Sequence, residues 1–566
     1  MRKNSLYAAF AVVISGVLLT GCGGLGKMEK YIEQLGAKSA PNPLEVHGDS
    51  IQLTITGKFP EKYFHKKVVA EATPVLKYDG GETAFKMKGF QGEQAAGNYE
   101  SVPYKTGKSF SYTSKIGYSP AMETSNLELR LHGTQGKKMA DFAPVPVGQG
   151  VITTPYLMKS DDKSMVCADK FVRTLSFTKE AEVNFDYNSS ALKPAEMKQA
   201  DITELGNFLD SCMKNPKMVV KKIEFQAYAS PEGEILLNDN LATERAEAGK
   251  KVVVDVVKKR KLTNVNESMY QLVPKGEDWE GFRAQMEKSA IADRDIIIRI
   301  LQKTADLASR EQEIKNISKT YTEIQKDIFP SLRRCKIVVS YDLEGYSDAD
   351  LKQISSTNPS VLTYEELMKA GSLTEDLGQK VSIYTAAAAK SDADFRAANN
   401  LGVAYYMQNK TADADAQWKK AYGMQKTKET SCHMGISARL KGDRKAAVSY
   451  ANESGSAEAK YNKGLVDIQN GDYASAVANM GSFKTFNSAL ANMLNKDNGA
   501  AKSHLDASGD ASAMADYLAA IIAARSNESA TVASKLKDAA KKDTALVTKA
   551  KKDLEFRNFK DAVSFQ

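Results

Sequence analysis

Cysteine, histidine and tryptophan are scarce in this chain: five, five and two among 566 residues. The histidines (His47, His65, His132, His433 and His504) are isolated from one another, so no spacing suggests a metal cluster or a nucleophile–base pair. Cys167, Cys212, Cys335 and Cys432 lie far apart with no CxxC spacing, which argues against a zinc site. For these four, buried thiols and disulfides both stay open. No GxSxG, HExxH, P-loop or dinucleotide fingerprint occurs, so the expectation is a non-enzymatic protein with no metal and no cofactor. A strong excess of one charge is missing too. The net charge is +8, with Lys and Arg interleaved with Asp and Glu, so no nucleic-acid footprint is visible. Beyond residue 22 no apolar run approaches the ~20 residues needed to span a bilayer.

Apolar residues make up 42% and charged residues 26%, an ordinary globular balance, over a length that implies three or four domains. The N-terminus is distinctive. Arg2 and Lys3 precede an apolar stretch from Leu6 to Leu19, which closes on Leu19-Thr20-Gly21-Cys22. This layout resembles the bacterial lipoprotein signal class. The resemblance implies that residues 1–21 are removed and that Cys22 is lipidated. An ordinary secretory signal or an uncleaved anchor helix are the alternatives, and the apolar stretch is short for the second. Gly23-Gly24-Leu25-Gly26-Lys27 is small and nearly uncharged, so residues 22–42 read as a tether. No aspartate adjoins Cys22. By resemblance to lipoprotein sorting, that implies an outer-membrane anchor with the body facing the periplasm.

Residues 43–175 read as a β-sandwich. Alternation is clear in Ser50 to Thr56, Lys67 to Ala72 and Leu127 to Leu131. Asp79-Gly80-Gly81, Gly97-Asn98, Gly133 to Gly136 and Gly148-Gln149-Gly150 read as turns between strands. Such a module is a spacer near the membrane or a docking module for another envelope protein.

Residues 176–344 read as an α+β unit. Strands are expected at Val183 to Asn188, Lys222 to Tyr228, Gln271 to Pro274 and Cys335 to Leu343, with helices between them. A helical insert fills 280–330, where Ile314, Ile317, Tyr321, Ile324 and Ile328 keep the spacing of one amphipathic helix. The runs Phe185-Asp186-Tyr187-Asn188, Ala227-Tyr228-Ala229-Ser230-Pro231-Glu232-Gly233 and Asn238-x2-Leu241-x3-Arg245-Ala246 resemble the OmpA-like peptidoglycan-binding domain. Their wording, with Gly276-Glu277-Asp278-Trp279, is similar to versions in Bacteroidales envelope proteins.

In that family an aspartate and an arginine grip the diaminopimelate of a peptidoglycan stem peptide, whose end carries an ammonium and a carboxylate. The resemblance assigns the arginine to Arg245 and a polar contact to Asn188. The aspartate position holds Ser230. Replacing a charge-assisted hydrogen bond worth about 1.5–3 kcal/mol by a hydroxyl weakens binding roughly 10- to 100-fold. Glu232, two residues on, is the candidate to meet the ammonium instead; the alternative is a retained fold that has lost the ligand.

Residues 345–370 read as a helical connector, and 371–566 as an alanine-rich all-α array. Gly402, Gly435 and Gly464 recur at 33 and 29 residues, each followed by a turn and a second helix. These units resemble tetratricopeptide repeats, which implies a solenoid of five or six helix pairs. Tyr405, Trp418 and Tyr422 are the candidate contacts for an envelope protein partner; a rigid spacer is the other reading of the array. The sequence reading is therefore a multidomain, lipid-anchored scaffold at the outer membrane. Its alternative is an accessory subunit of an assembly, secretion or pilus-biogenesis machine that does not bind the wall.

Overall fold

The computed structural model describes residues 24–564, so Cys22 lies outside the described residues. Contacts divide the chain into two units, one of residues up to 167 together with 392 onward, the other of residues 168–391. Among the described residues no helix is long and apolar enough to cross a membrane.

The first unit corrects the tether expectation. Helix Gly24–Lys30 and the 3-10 turn Ile32–Leu35 bury Leu25, Met28, Ile32 and Leu35 in the core of the β-region. The Tyr63 hydroxyl donates to the Met28 carbonyl at 2.8 Å, and strand Lys38–Ala40 pairs with Ser50–Phe59. Apolar residues at helical spacing outweigh the small, uncharged composition once a sheet face is available to cover them.

Two sheets, of five and seven strands, share that core. In Ser50–Phe59 the alternate residues Ile51, Leu53 and Ile55 point inward; in Ser125–Gln135, Leu127, Leu129 and Leu131 do the same. Gly133, expected in a turn, lies inside the second of these strands. A Cβ there would meet Leu25 Cδ2 at 2.7 Å and Phe142 Cζ at 3.0 Å, so close packing, not a turn, requires glycine.

From 392 the same unit continues as helical hairpins. The pairs are Phe395–Met407 with Thr411–Met424, Lys428–Leu440 with Arg444–Ser454, Ala457–Asn470 with Tyr473–Met480, Phe486–Leu494 with Asn498–Ala507, and Ala513–Arg525 with Ser529–Lys542. Each hairpin turn carries a left-handed residue, in order Asn409, Gly442, Gly471, Lys496 and Asn527. Asp443, Asp472 and Asp497 then cap the second helices, accepting from the main-chain N–H of Ala446, Ser475 and Ala500. Gly402 is required by contact, since a Cβ would lie 2.3 Å from Trp418 Cδ1. The β-region and the hairpins are joined by polar contacts, among them Arg444 to Asp49 (2.9 Å) and the Tyr473 hydroxyl to the Val46 carbonyl (3.3 Å).

The second unit is built on a four-stranded sheet in the order Thr174–Asn184, Arg334–Glu344, Met218–Ala229, Tyr270–Glu277. The first three strands are antiparallel; the last is parallel to its neighbour, and helix Ile235–Arg260 makes the crossover. Val183, Phe225 and Ile337 face this helix and Ala200–Lys214 across one core. Helices Asp348–Thr357, Tyr364–Leu373 and Leu377–Lys390 complete the unit.

The insert is not one helix but four: Trp279–Lys288, Arg294–Lys303, Leu307–Lys315 and Ser318–Asp327. Asp306 caps the third of these, its carboxylate accepting from the Ser309 N–H at 2.8 Å, and the isoleucine run is broken further on, at Asn316-Ile317. The apolar spacing still has its partner face. Ile314, Ile324 and Ile328 pack with Phe282, Met286, Ile297, Phe329 and Leu332 into a satellite core within the unit.

The four described cysteines are buried and form no disulfide with one another. Burial pushes the thiols of Cys167, Cys335 and Cys432 up to about 12, which leaves them unreactive at neutral pH.

Candidate functional site

Asn188, Ser230, Glu232 and Arg245 come together around one recess in the second unit, with Tyr187, Asn238 and Leu241. The fold places them there by strand ends. Asn188 follows Thr174–Asn184 at a positive φ of 46°, Ser230 and Glu232 follow Met218–Ala229, and Arg245 comes from the crossover helix. The recess holds about 30 Å³, room for one or two waters and too small for a stem-peptide residue.

Its polar groups are already engaged. Arg245, 1% exposed, donates to three main-chain carbonyls, from Nε to Ser189 (3.1 Å), from Nη1 to Tyr228 (2.9 Å) and from Nη2 to Asp186 (3.2 Å). Burial, with the nearby Arg333 charge, lowers its pKa to about 10, which leaves it protonated at neutral pH. Glu232 Oε1 accepts from the Ser230 hydroxyl (2.6 Å) and from Arg333 Nη2 (2.6 Å) and Nε (3.2 Å). Arg333 thus stands where an ammonium group would meet Glu232, and it lies over the Tyr187 ring at 5.2 Å. The sequence does not single out Arg333 for this role. Nothing local pairs it with a glutamate 101 residues earlier.

A second site, which the sequence reading missed, lies in the first unit. Residues 158–167 have no regular structure. They run as an extended strap along the first helices of four successive hairpins. Asn487 accepts from the Lys159 N–H at 2.8 Å and donates to the Lys159 carbonyl at 2.7 Å. Asn462 does the same for Lys163 (2.7 and 2.9 Å), and Asn400 for Cys167 (2.8 and 2.9 Å). At Met165, His433 Nε2 accepts the N–H (3.0 Å) and Asn399 donates to the carbonyl (3.0 Å). An amide side chain offers one donor and one acceptor side by side, the complement of a peptide group. A strap with no sheet partner needs this, because buried main-chain groups are costly unpaired.

Strap side chains add charge recognition. Asp162, with a fully buried side chain, receives both Nε (2.5 Å) and Nη2 of Arg439, and the Tyr406 hydroxyl at 3.0 Å. Asp161 accepts from Tyr461 (2.7 Å) and Asn487 (2.5 Å). The Lys159 ammonium meets Asp510 (2.5 Å) and Ser512 (3.0 Å) and lies 4.3 Å from the Phe486 ring centroid.

The residues expected to face a partner are placed differently. Trp418 is 1% exposed and stacks on His433, with centroids 4.7 Å apart and planes at 5°. It is core and holds His433 in place, so it cannot contact a partner. Tyr422 is half-buried and donates to Glu453 at 3.0 Å; Tyr405 is half-buried with the Lys410 ammonium 6.0 Å from its ring centroid. The signal for the asparagines was present in the repeat phase. Asn400, His433, Asn462 and Asn487 each stand two residues before a small residue: Gly402, Gly435, Gly464 and Ala489.

No protein-family model matches the chain, and no curated protein matches it. Among solved structures, a tetratricopeptide repeat protein from Parabacteroides merdae matches at 14% identity and a TM-score of 0.29, over 38% of this chain and 91% of that one. PilF of Pseudomonas aeruginosa matches at 14% identity and 0.28, over 38% and 98%. The Cut9–Hcn1 hetero-tetramer of APC/C matches at 10% identity and 0.32, over 59% and 77%.

Proposed function

We propose that this chain is a non-enzymatic scaffold lipoprotein, anchored in the outer membrane through Cys22 and facing the periplasm, whose helical repeats engage protein. The observation that carries this reading is the ladder of Asn400, His433, Asn462 and Asn487, which holds extended polypeptide by its main chain. Cys22 and the apolar stretch before it support the anchor.

Contact with a peptidoglycan stem peptide through the second unit, whose runs resemble the OmpA-like domain, is the finer part of the proposal. It requires Arg333 to leave Glu232, so that the recess opens beside Arg245. The engaged state of Glu232 favours the second reading, an accessory subunit of an envelope assembly or secretion machine without wall binding. Sedimentation of the full chain with purified sacculi separates the two. Retention that is lost in Arg245→Ala supports the wall contact. No retention, and none gained by Ser230→Asp, supports the second reading. Radiolabelled palmitate incorporation that disappears in Cys22→Ala tests the anchor.

A further inference from the structure

The strap is bound as a ligand is bound. Most of it contributes little to an apolar core: only Asp162 and Cys167 are buried, and Val166 is 58% exposed. Its hold is polar and comes from side chains of the array, not from a sheet or a helix of its own. The array side chains that hold it, Asn400, His433, Asn462, Asn487 and Arg439, are all buried. The binding surface also has sequence preference. Main-chain clasps at Lys159, Lys163, Met165 and Cys167 accept any extended chain. Arg439 requires a carboxylate at the position of Asp162, and Asp510 with Phe486 favours an ammonium three residues earlier.

We propose that the first-helix face of the repeats is a peptide-recognition groove occupied in cis by residues 159–167. Its partner in trans is an extended segment of another protein carrying the same pattern, a lysine followed at the third position by a carboxylate. This deepens the scaffold reading and rests on it. The cis segment competes at an effective concentration of order millimolar, so the groove is closed to weak partners and opens only to a better match or after the strap is weakened.

The test uses the full chain and a fluorophore-labelled synthetic peptide of residues 157–168. Anisotropy on the native protein is expected to show no saturation below about 1 mM peptide. Asp162→Ala removes the strap's hold on Arg439 while the peptide keeps its own aspartate. That chain is expected to bind the peptide about 100-fold or more tightly than the native one, and the gain disappears in the double variant Asp162→Ala/Arg439→Ala. A peptide with the Asp162 position changed to alanine does not bind. Where Asp162→Ala fails to fold by circular dichroism, Lys159→Ala/Asp161→Asn opens the strap at its edge and is read the same way. Folded variants that bind no better than native overturn the proposal. A photoreactive residue in place of Tyr422, outside the groove, tests the scaffold reading separately: a partner captured there while the peptide fails keeps the scaffold and removes the groove.

Discussion

At the residue scale, His433 carries a pH dependence. Its ring is buried, and burial lowers its pKa from 6.5 to about 3. Its hydrogen bonds fix the tautomer: Nδ1 lies 2.8 Å from the Asn399 Oδ1 acceptor, so Nδ1 carries the proton and Nε2 accepts from Met165. A second proton on Nε2 would face the Met165 N–H. The folded state therefore prefers the neutral ring. That contribution is fully present above pH 6.5 and is lost as pH falls from 6.5 toward 3. Urea midpoints measured across this range should fall more steeply for the native chain than for His433→Gln. Equal slopes contradict the assignment. Arg439→Ala leaves Asp162 buried without its counter-charge and should cost about 3–5 kcal/mol; denaturant titration reads it.

Residue-level legibility followed sequence distance. The phase of Asn400, Asn462 and Asn487 against their small neighbours is visible in the chain. Their main-chain partners lie 233, 299 and 328 residues away, and nothing local points to them. Arg333 closing on Glu232 is hidden for the same reason. Trp418 misleads in the opposite way, because a large aromatic in a repeat reads as an exposed anchor, whereas Gly402 makes the hollow that buries it.

At the element scale, strands and hairpins were legible where period and turn chemistry agree. Ser50–Phe59 and the Gly-Asp turns at 442–443 and 471–472 are examples. Two elements were not. The insert keeps helical spacing from Ile314 to Ile328 across the break at Asn316-Ile317, between Leu307–Lys315 and Ser318–Asp327. Residues 24–35 look like a linker by composition, yet Met28 is fully buried. Met28→Ala should therefore cost about 2–5 kcal/mol by leaving a cavity, where a tether would give no change; thermal unfolding of the full chain decides. In the strap, Asn462→Ala strands the N–H and C=O of Lys163. It should cost about 2–4 kcal/mol, against less than about 0.5 kcal/mol for the exposed change Lys460→Ala.

At the scale of the whole molecule, the first unit is assembled from two stretches separated by more than two hundred residues. Sequence order suggests three consecutive modules. The structure instead joins the N-terminal β-region to the last five hairpins and makes the strap their common element. The repeats hold polypeptide through a ladder that completes buried peptide groups, and amide hydrogen exchange on the full chain measures this directly. The N–H groups of Lys159, Lys163, Met165 and Cys167 should exchange slowly, and Asn462→Ala should release Lys163 first. Exchange at all four as fast as at an exposed loop, such as Gly136-Lys137, would contradict the account.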